Sequence, residues 1–160
     1  MNAANRTKKS ETTNGNPALL LDNQLCFALY STSLAMTKLY KTLLEKLGLT
    51  YPQYLVMLVL WERDGLMVSE LGEHLFLDSG TLTPLLKRLE SASLIARIRD
   101  VQDERRVHIT LTAIGRALKT QAASIPECIL KASQCSLPDI VALTQQVQTL
   151  RKNLNSTLTS

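Results

Sequence analysis

The stretch Leu77-Asp78-Ser79-Gly80-Thr81-Leu82-Thr83-Pro84-Leu85-Leu86-Lys87-Arg88-Leu89-Glu90 decides how the rest of the chain reads. Asp78 is a good N-cap, since its side-chain oxygen accepts from the free N–H groups of a first helical turn. It predicts a helix over 79–92. Leu82, Leu85, Leu86 and Leu89 recur at helical spacing and make one apolar stripe. Thr81, Thr83, Pro84, Lys87 and Arg88 fall on the opposite face. Such a helix docks on its own domain by one side and keeps the other free.

The flanking segments complete a known arrangement. Upstream, Val68 to Leu75 reads as a short helix after an Asp64–Gly65 turn. Before that, Pro52 opens a helix running to about Arg63. Its stretch from Tyr54 to Trp61 is apolar on every side and is expected to be the buried centre. Downstream, Leu94 to Arg99 and Val107 to Leu111 read as strands around a charged tip, Asp100 to Arg106. Thr112 caps a long helix, Pro126 kinks or restarts it, and Pro138 opens a last helix. That helix carries the stripe Ile140, Leu143, Val147, Leu150 and Leu154. Near the N-terminus, Asp22 is the expected cap of a helix bearing Leu25, Leu29, Met36, Leu39, Leu43 and Leu47, which stops at Gly48. Residues 1–17 read as a flexible polar tail.

The expected fold is mainly α: a winged helix-turn-helix with a two-stranded β wing and long helices at both ends. One domain over 18–160 is expected, with the winged core at about 52–112 and flanking helices at 19–48 and 113–157. A single small domain does not easily bury both outer stripes, so the simplest expectation is a homodimer in which those helices intertwine.

Composition sets the outer bounds. The 160 residues suit one domain, and 45% hydrophobic with 20% charged residues excludes bulk disorder. Aromatics at 4% argue against a single-strand binder built on stacking. The longest apolar run has eight residues, against about twenty for a membrane span. Ser, Thr, Asn and Gly stand where a secretory signal would place its apolar stretch. Three cysteines, 26, 128 and 135, are too few and too odd for a disulfide scaffold, and a cytoplasmic protein with free thiols is expected. The net charge of +4 permits a polyanionic partner without requiring one.

The helix over 79–92 has the form of a recognition helix for a DNA major groove. Ser79, Gly80 and Thr81 are small enough for hydroxyls and backbone N–H groups to approach a phosphate. Thr83, Pro84, Lys87 and Arg88 lie further along the outward face, toward base edges. Arg97 on the first wing strand is counted with the DNA-facing set. At the tip, Arg105 is placed to reach a narrow minor groove, with Asp103 holding its pose through a charge-assisted pair. Taken alone, the tip reads equally well as a solvated turn.

A second constellation surrounds Cys26. With Asp22 as the cap, Cys26 lies about one turn into the first helix, where the helix dipole favours a thiolate, the form that reacts with peroxides. Tyr30, four residues on, shares its helical face and can donate to the sulfur. Tyr40 is fourteen residues from Cys26, about 21 Å along a helix, so any contact between them must come from a partner subunit. From the residues alone, Cys26 also reads as a small buried side chain and the tyrosines as interface packing. His74 and His108 have no paired ligand set, and there is no P-loop, dinucleotide fingerprint or nucleophile elbow. No metal, cofactor or enzymatic activity is expected.

The helix quoted above, with Asp103-Glu104-Arg105, Ile109-Thr110-Leu111-Thr112 and Gly115, resembles the MarR family, and within it the organic hydroperoxide resistance repressors of the two-cysteine branch. The resemblance runs from about Leu19 to the C-terminus. It implies a dimeric repressor that binds a palindromic double-stranded DNA operator, with organic hydroperoxide as inducer. It further implies that Cys26 is the peroxidatic thiol, bonded by Tyr30, Tyr40 and Tyr51, and that a resolving thiol of the partner subunit closes a disulfide. Where that branch carries the resolver this chain has Lys131, flanked by Cys128 and Cys135, and both remain candidates. Two other readings stand beside it: a regulator answering a small aromatic ligand with Cys26 as packing, and a thiol peroxidase with incidental DNA affinity.

Overall fold

A computed structural model describes residues 16–103 and 106–158. The chain divides into two units, residues 1–38 and 39–160. In the first, two 3-10 turns, Pro17–Leu19 and Leu21–Asn23, precede helix α1, Leu25–Leu44, which runs on into the second unit. Asp22 is not the cap of α1. Asn16 caps the first turn, the Asn23 amide donates to the Pro17 carbonyl and the Gln24 amide to the Leu20 carbonyl, so residues 17–23 are consumed before α1 begins. The first α-helical bond runs from the N–H of Ala28 to the carbonyl of Gln24.

The second unit holds the last turns of α1 and then α2 (Tyr51–Glu62), β1 (Leu66–Met67), α3 (Val68–Leu75), α4 (Ser79–Ser91), β2 (Ile95–Arg99), β3 (Val107–Leu111), α5 (Ala113–Ala122), α6 (Ile125–Ser133) and α7 (Leu137–Leu158). The local signals operate as expected. Thr50 and Gln53 form a capping box ahead of α2, with Pro52 in its first turn. Asp78 caps α4, Thr112 caps α5, and Pro126 opens α6. The sheet is antiparallel in the order β1-β3-β2, with Leu66 opposite Ile109 and Arg97 also opposite Ile109. The wing hairpin is therefore joined by a third strand. β1 has two residues, too few to show an alternating pattern.

Leu44, Val56, Met57, Leu60, Leu71, Leu82 and Leu86 form the centre of the core with Ile95 and Ile109. The α2 stretch is not buried all round, because Leu58 is 40% exposed. Gly115 is required by close packing: a Cβ there would lie 2.0 Å from the Leu94 carbonyl oxygen. Phe76, between α3 and α4, takes a left-handed backbone (φ 55°), and the Arg151 guanidinium stacks on its ring at 4.2 Å. On α7, Val141, Leu143, Val147 and Leu154 stay exposed, as do Leu25, Leu29 and Met36 on α1.

Asp64 ties three elements. Its Oδ1 accepts from the N–H of Gly65 and from the N–H of Leu111, each at 2.8 Å, and its Oδ2 accepts from Arg116 at 2.7 Å. Burial works to raise this carboxyl, but the Leu111 N–H, the Arg116 guanidinium and the Gly65 N–H outweigh it and hold it below the usual carboxylate value. A depressed native value stabilises the fold above the unfolded value, and that contribution is lost as pH falls through the native one. Asp64→Ala is expected to destabilise the protein by about 2 kcal/mol, chiefly through the two backbone bonds, since the Arg116 pair is solvent-screened. Urea melts at pH 7 and pH 3 check this: the gap between wild type and variant should narrow at pH 3.

Candidate functional site

The outward face of α4 is built by its cap and its core stripe. Asp78 Oδ1 accepts from the Thr81 N–H at 2.8 Å and Oδ2 from the Thr81 hydroxyl at 3.1 Å. These bonds hold the Asp78 carboxyl below its ordinary value and fix the first turn. Leu82, Leu86 and Leu89 are buried, which turns Ser79, Gly80, Thr81, Pro84, Lys87 and Arg88 to solvent, with Thr83 half-buried. Among the described residues, Lys87 and Arg88 have no acidic partner within ion-pair distance. They present uncompensated charge on a convex helix face, the arrangement that suits a groove lined by phosphates.

The wing is less simple. Arg97 reaches back to α4: its Nε lies 3.2 Å from Glu90 Oε2, and its NH2 donates to the Thr83 carbonyl at 3.4 Å. Asp103 pairs with Arg106 at 3.6 Å. The expected partner Arg105 lies outside the described residues. At the base of the tip, the Asp100 N–H donates to the Arg106 carbonyl, and the Gln102 N–H, bonded to Asp100 Oδ1 at 2.8 Å, holds that carboxyl low. His108 on β3 places Nδ1 3.1 Å from the Gly65 carbonyl and Nε2 3.6 Å from Asp100.

In the first unit, Cys26 is the second residue of α1 and is exposed, closer to the helix start than the Asp22 cap would have placed it. Two of the first turn's unsatisfied N–H groups therefore belong to Cys26 and its neighbour Leu25. Tyr30 is 62% exposed on the same helix and makes no hydrogen bond to Cys26 within the chain.

In the second unit, Tyr40 and Tyr51 meet with ring centroids 4.4 Å apart. Tyr54, one helical turn after Tyr51, joins them at 5.9 Å from Tyr40 and packs edge-on against Trp61 at 6.2 Å. Sequence reading missed Tyr54, although its i,i+3 spacing from Tyr51 signalled it. Trp61 donates to the Gly115 carbonyl at 2.9 Å, which anchors the aromatic row on α5. Burial, then the neighbouring Tyr51 and Tyr54 phenols, push Tyr40 up to about 12. Cys128 is exposed on α6. Cys135 is exposed just beyond it, where Gln134 turns through a left-handed backbone (φ 54°) and the Cys135 thiol donates to the Ser133 carbonyl at 3.3 Å. Among the described residues, no group of three His, Cys, Asp or Glu side chains is placed to hold a metal.

Comparison with known proteins adds to this geometry. Residues 38–122 match the family described as Transcriptional regulator SarA/Rot. The chain is 53% identical over 135 residues to the organic hydroperoxide resistance transcriptional regulator of Bacillus subtilis, covering 84% of this chain and 92% of that one. It is similar to the solved structure of reduced AbfR bound to DNA, at 35% identity and TM-score 0.71, over 84% of this chain and 94% of that one. It is also similar to disulfide-formed AbfR, at 40% identity and TM-score 0.56, over 81% and 91% of the two chains. AbfR is a protein of Staphylococcus epidermidis.

The tyrosine row has a measurable alkaline signature. A phenol raised to about 12 keeps its proton in the native state at pH values where the unfolded chain has released it. Stability from Tyr40 is thus full below about pH 10 and is lost as pH rises toward 12. The melting temperature of wild type minus that of Tyr40→Phe should fall as pH rises from about 9 to about 11.5, because the variant lacks this loss; a difference that does not change with pH would contradict the assignment.

Proposed function

The chain belongs to the MarR family of winged-helix transcriptional regulators, to the organic hydroperoxide resistance type, and from that premise we propose that it is a cytoplasmic repressor that holds its operator when reduced and releases it once an organic hydroperoxide has oxidised Cys26. The observation that carries the reading is the place of Cys26: exposed and second in a twenty-residue helix, in a chain 53% identical to a regulator of hydroperoxide resistance.

The chemistry follows from that position. The Cys26 thiolate attacks the terminal oxygen of the hydroperoxide, and the O–O bond breaks. The sulfur loses two electrons and becomes a sulfenic acid, while the other oxygen takes a proton and leaves as an alcohol. Cys128 or Cys135 of the partner subunit then attacks the sulfenic sulfur through its own thiolate, an S–S bond forms and water leaves. An external dithiol restores both thiols, and the rate of that reduction, read as peroxide consumed per chain, separates a sensor from a turning-over peroxidase.

The apolar residues exposed on α1 and α7 supply a homodimer contact. In that dimer Tyr40 and Tyr51 of one protomer approach Cys26 of the other, with Tyr30 from the sulfur's own helix. The core at about 52–112 is the reading head, and the helices at 19–48 and 113–157 build the interface. Two copies of α4 enter successive major grooves of double-stranded DNA: Ser79, Gly80 and Thr81 against phosphates, and Thr83, Pro84, Lys87 and Arg88 toward base edges. The wing tip, with Arg105 and Asp103, reaches the flanking minor groove. A disulfide between helices of two subunits would pull the heads out of register with the groove spacing.

Cys26→Ser is expected to bind the operator within about twofold of wild type, within the usual spread for a change that removes no DNA contact, and to stay bound when organic hydroperoxide is added. Non-reducing electrophoresis of oxidised Cys128→Ser and Cys135→Ser then identifies the resolver as the variant that no longer forms a covalent dimer. Peroxide-driven release surviving in Cys26→Ser would overturn the reading.

A further inference from the structure

We propose that Arg97 is a positioning residue that splints the reading helix α4 across Pro84 and fixes its aim from the wing, and that it is not itself a DNA contact. The inference rests on the reading of α4 as the DNA-reading helix.

The need for a splint is written into α4. Pro84 is the sixth of its thirteen residues. Proline has no N–H, so the Gly80 carbonyl loses its helical partner, and the ring crowds that same carbonyl. Gly80 adds backbone freedom in the same turn. The Asp78 cap secures Thr81, ahead of the break, and the buried Leu86 and Leu89 secure the helix beyond it. Between them the reading face carries its weakest joint.

Arg97 spans that joint. On β2 it shares the row of Ile95, which is buried, because alternate residues of a strand point the same way. One end of its guanidinium donates to the carbonyl of Thr83, the residue before Pro84, at 3.4 Å. Its Nε lies 3.2 Å from the carboxylate of Glu90. Thr83 and Glu90 are seven residues apart, two turns on one side of α4. The Nε is shielded from solvent and its N–H is not aligned on an acceptor, so the Glu90 contact is ionic and not a directed hydrogen bond. The Arg97 side chain is 25% exposed. To reach a phosphate it would have to abandon both anchors and leave the Glu90 carboxylate unneutralised. Lys87 and Arg88, exposed and without acidic partners among the described residues, need no such sacrifice.

The test uses the full-length reduced protein, its own upstream DNA and a scrambled duplex of equal length, with affinities measured across a range of salt concentrations. The variants are Arg97→Met, Glu90→Gln, their double, and Arg97→Lys. A splint predicts that Arg97→Met and Glu90→Gln each weaken operator binding about fivefold, the scale of a partly exposed ion pair. The double variant should be no worse than either single. The slope of log affinity against log salt should stay at the wild-type value, and Arg97→Lys should recover part of the loss. A phosphate contact gives a different pattern: Arg97→Met weakens both duplexes alike and lowers the slope by about one, while Glu90→Gln leaves binding unchanged or tighter. That pattern overturns the proposal.

Amide hydrogen exchange on DNA-free protein reads the splint independently. Arg97→Met, or Glu90→Gln should the former fail to fold, is expected to speed exchange in α4 around Pro84 without speeding it in α2; unchanged exchange in α4 also overturns the proposal. A wild type that prefers neither duplex would instead sink the regulator reading, and the exchange result would still decide the splint.

Discussion

The carboxylate of Asp64 is the constraint on which the reading head depends. It sits just past the end of α2 and closes bonds to the next residue, to the middle of the sheet at Leu111 and to Arg116 on α5. The bond to Leu111 fixes where β3 lies against α2, and β3 is the central strand of the sheet, so β1 and β2 inherit that position. The Gly115 carbonyl, bonded by Trp61, and the backbone of Leu94, packed against Gly115, draw α5 and the start of β2 into the same node. From there the wing's angle follows, and through Arg97 so does its hold on α4.

In the proposed function two chemistries are carried by different helices and obey different physics. On the proposed reading, the face of α4 works by charge and shape, with exposed basic side chains and a first turn capped by Asp78. On the same reading, the thiol works by reactivity, as an exposed group in the first turn of α1. The tyrosine row at Tyr40, Tyr51 and Tyr54 stays protonated far above neutral pH, so it offers phenol O–H donors under all physiological conditions. On the account proposed above, those donors act on a sulfur anion of the other subunit.

What was legible in the sequence was whatever a few neighbouring residues decide. Asp78, Thr112, Pro126 and Pro138 each mark the start of a helix through chemistry confined to one turn, and the structure starts helices at those points. What was not legible depends on distance across the fold. β1 exists because Leu66 and Met67 find Ile109 and His108, over forty residues away. Leu58 is 40% exposed among the described residues, which no periodicity of an all-apolar stretch reveals. Asp22 lost the cap to side-chain amides that hold the preceding turns. Arg97 counted as one more basic residue near the wing until Glu90 and Thr83 were seen beside it. The candidate residues of α4 and Cys26 could be placed from sequence because each depends on its position along its own helix, and the structure puts them on those helices.

The central claim is that oxidation of one thiol per chain controls DNA binding. The most direct measurement is a titration of reduced wild-type protein, bound to fluorescently labelled upstream DNA, with tert-butyl hydroperoxide, following anisotropy and intact mass together. The account predicts that anisotropy falls as peroxide approaches one equivalent per chain, in step with the mass of the oxidised species, and returns when dithiothreitol is added. Oxidation of Cys26 reaching completion by mass while the DNA stays bound would contradict it.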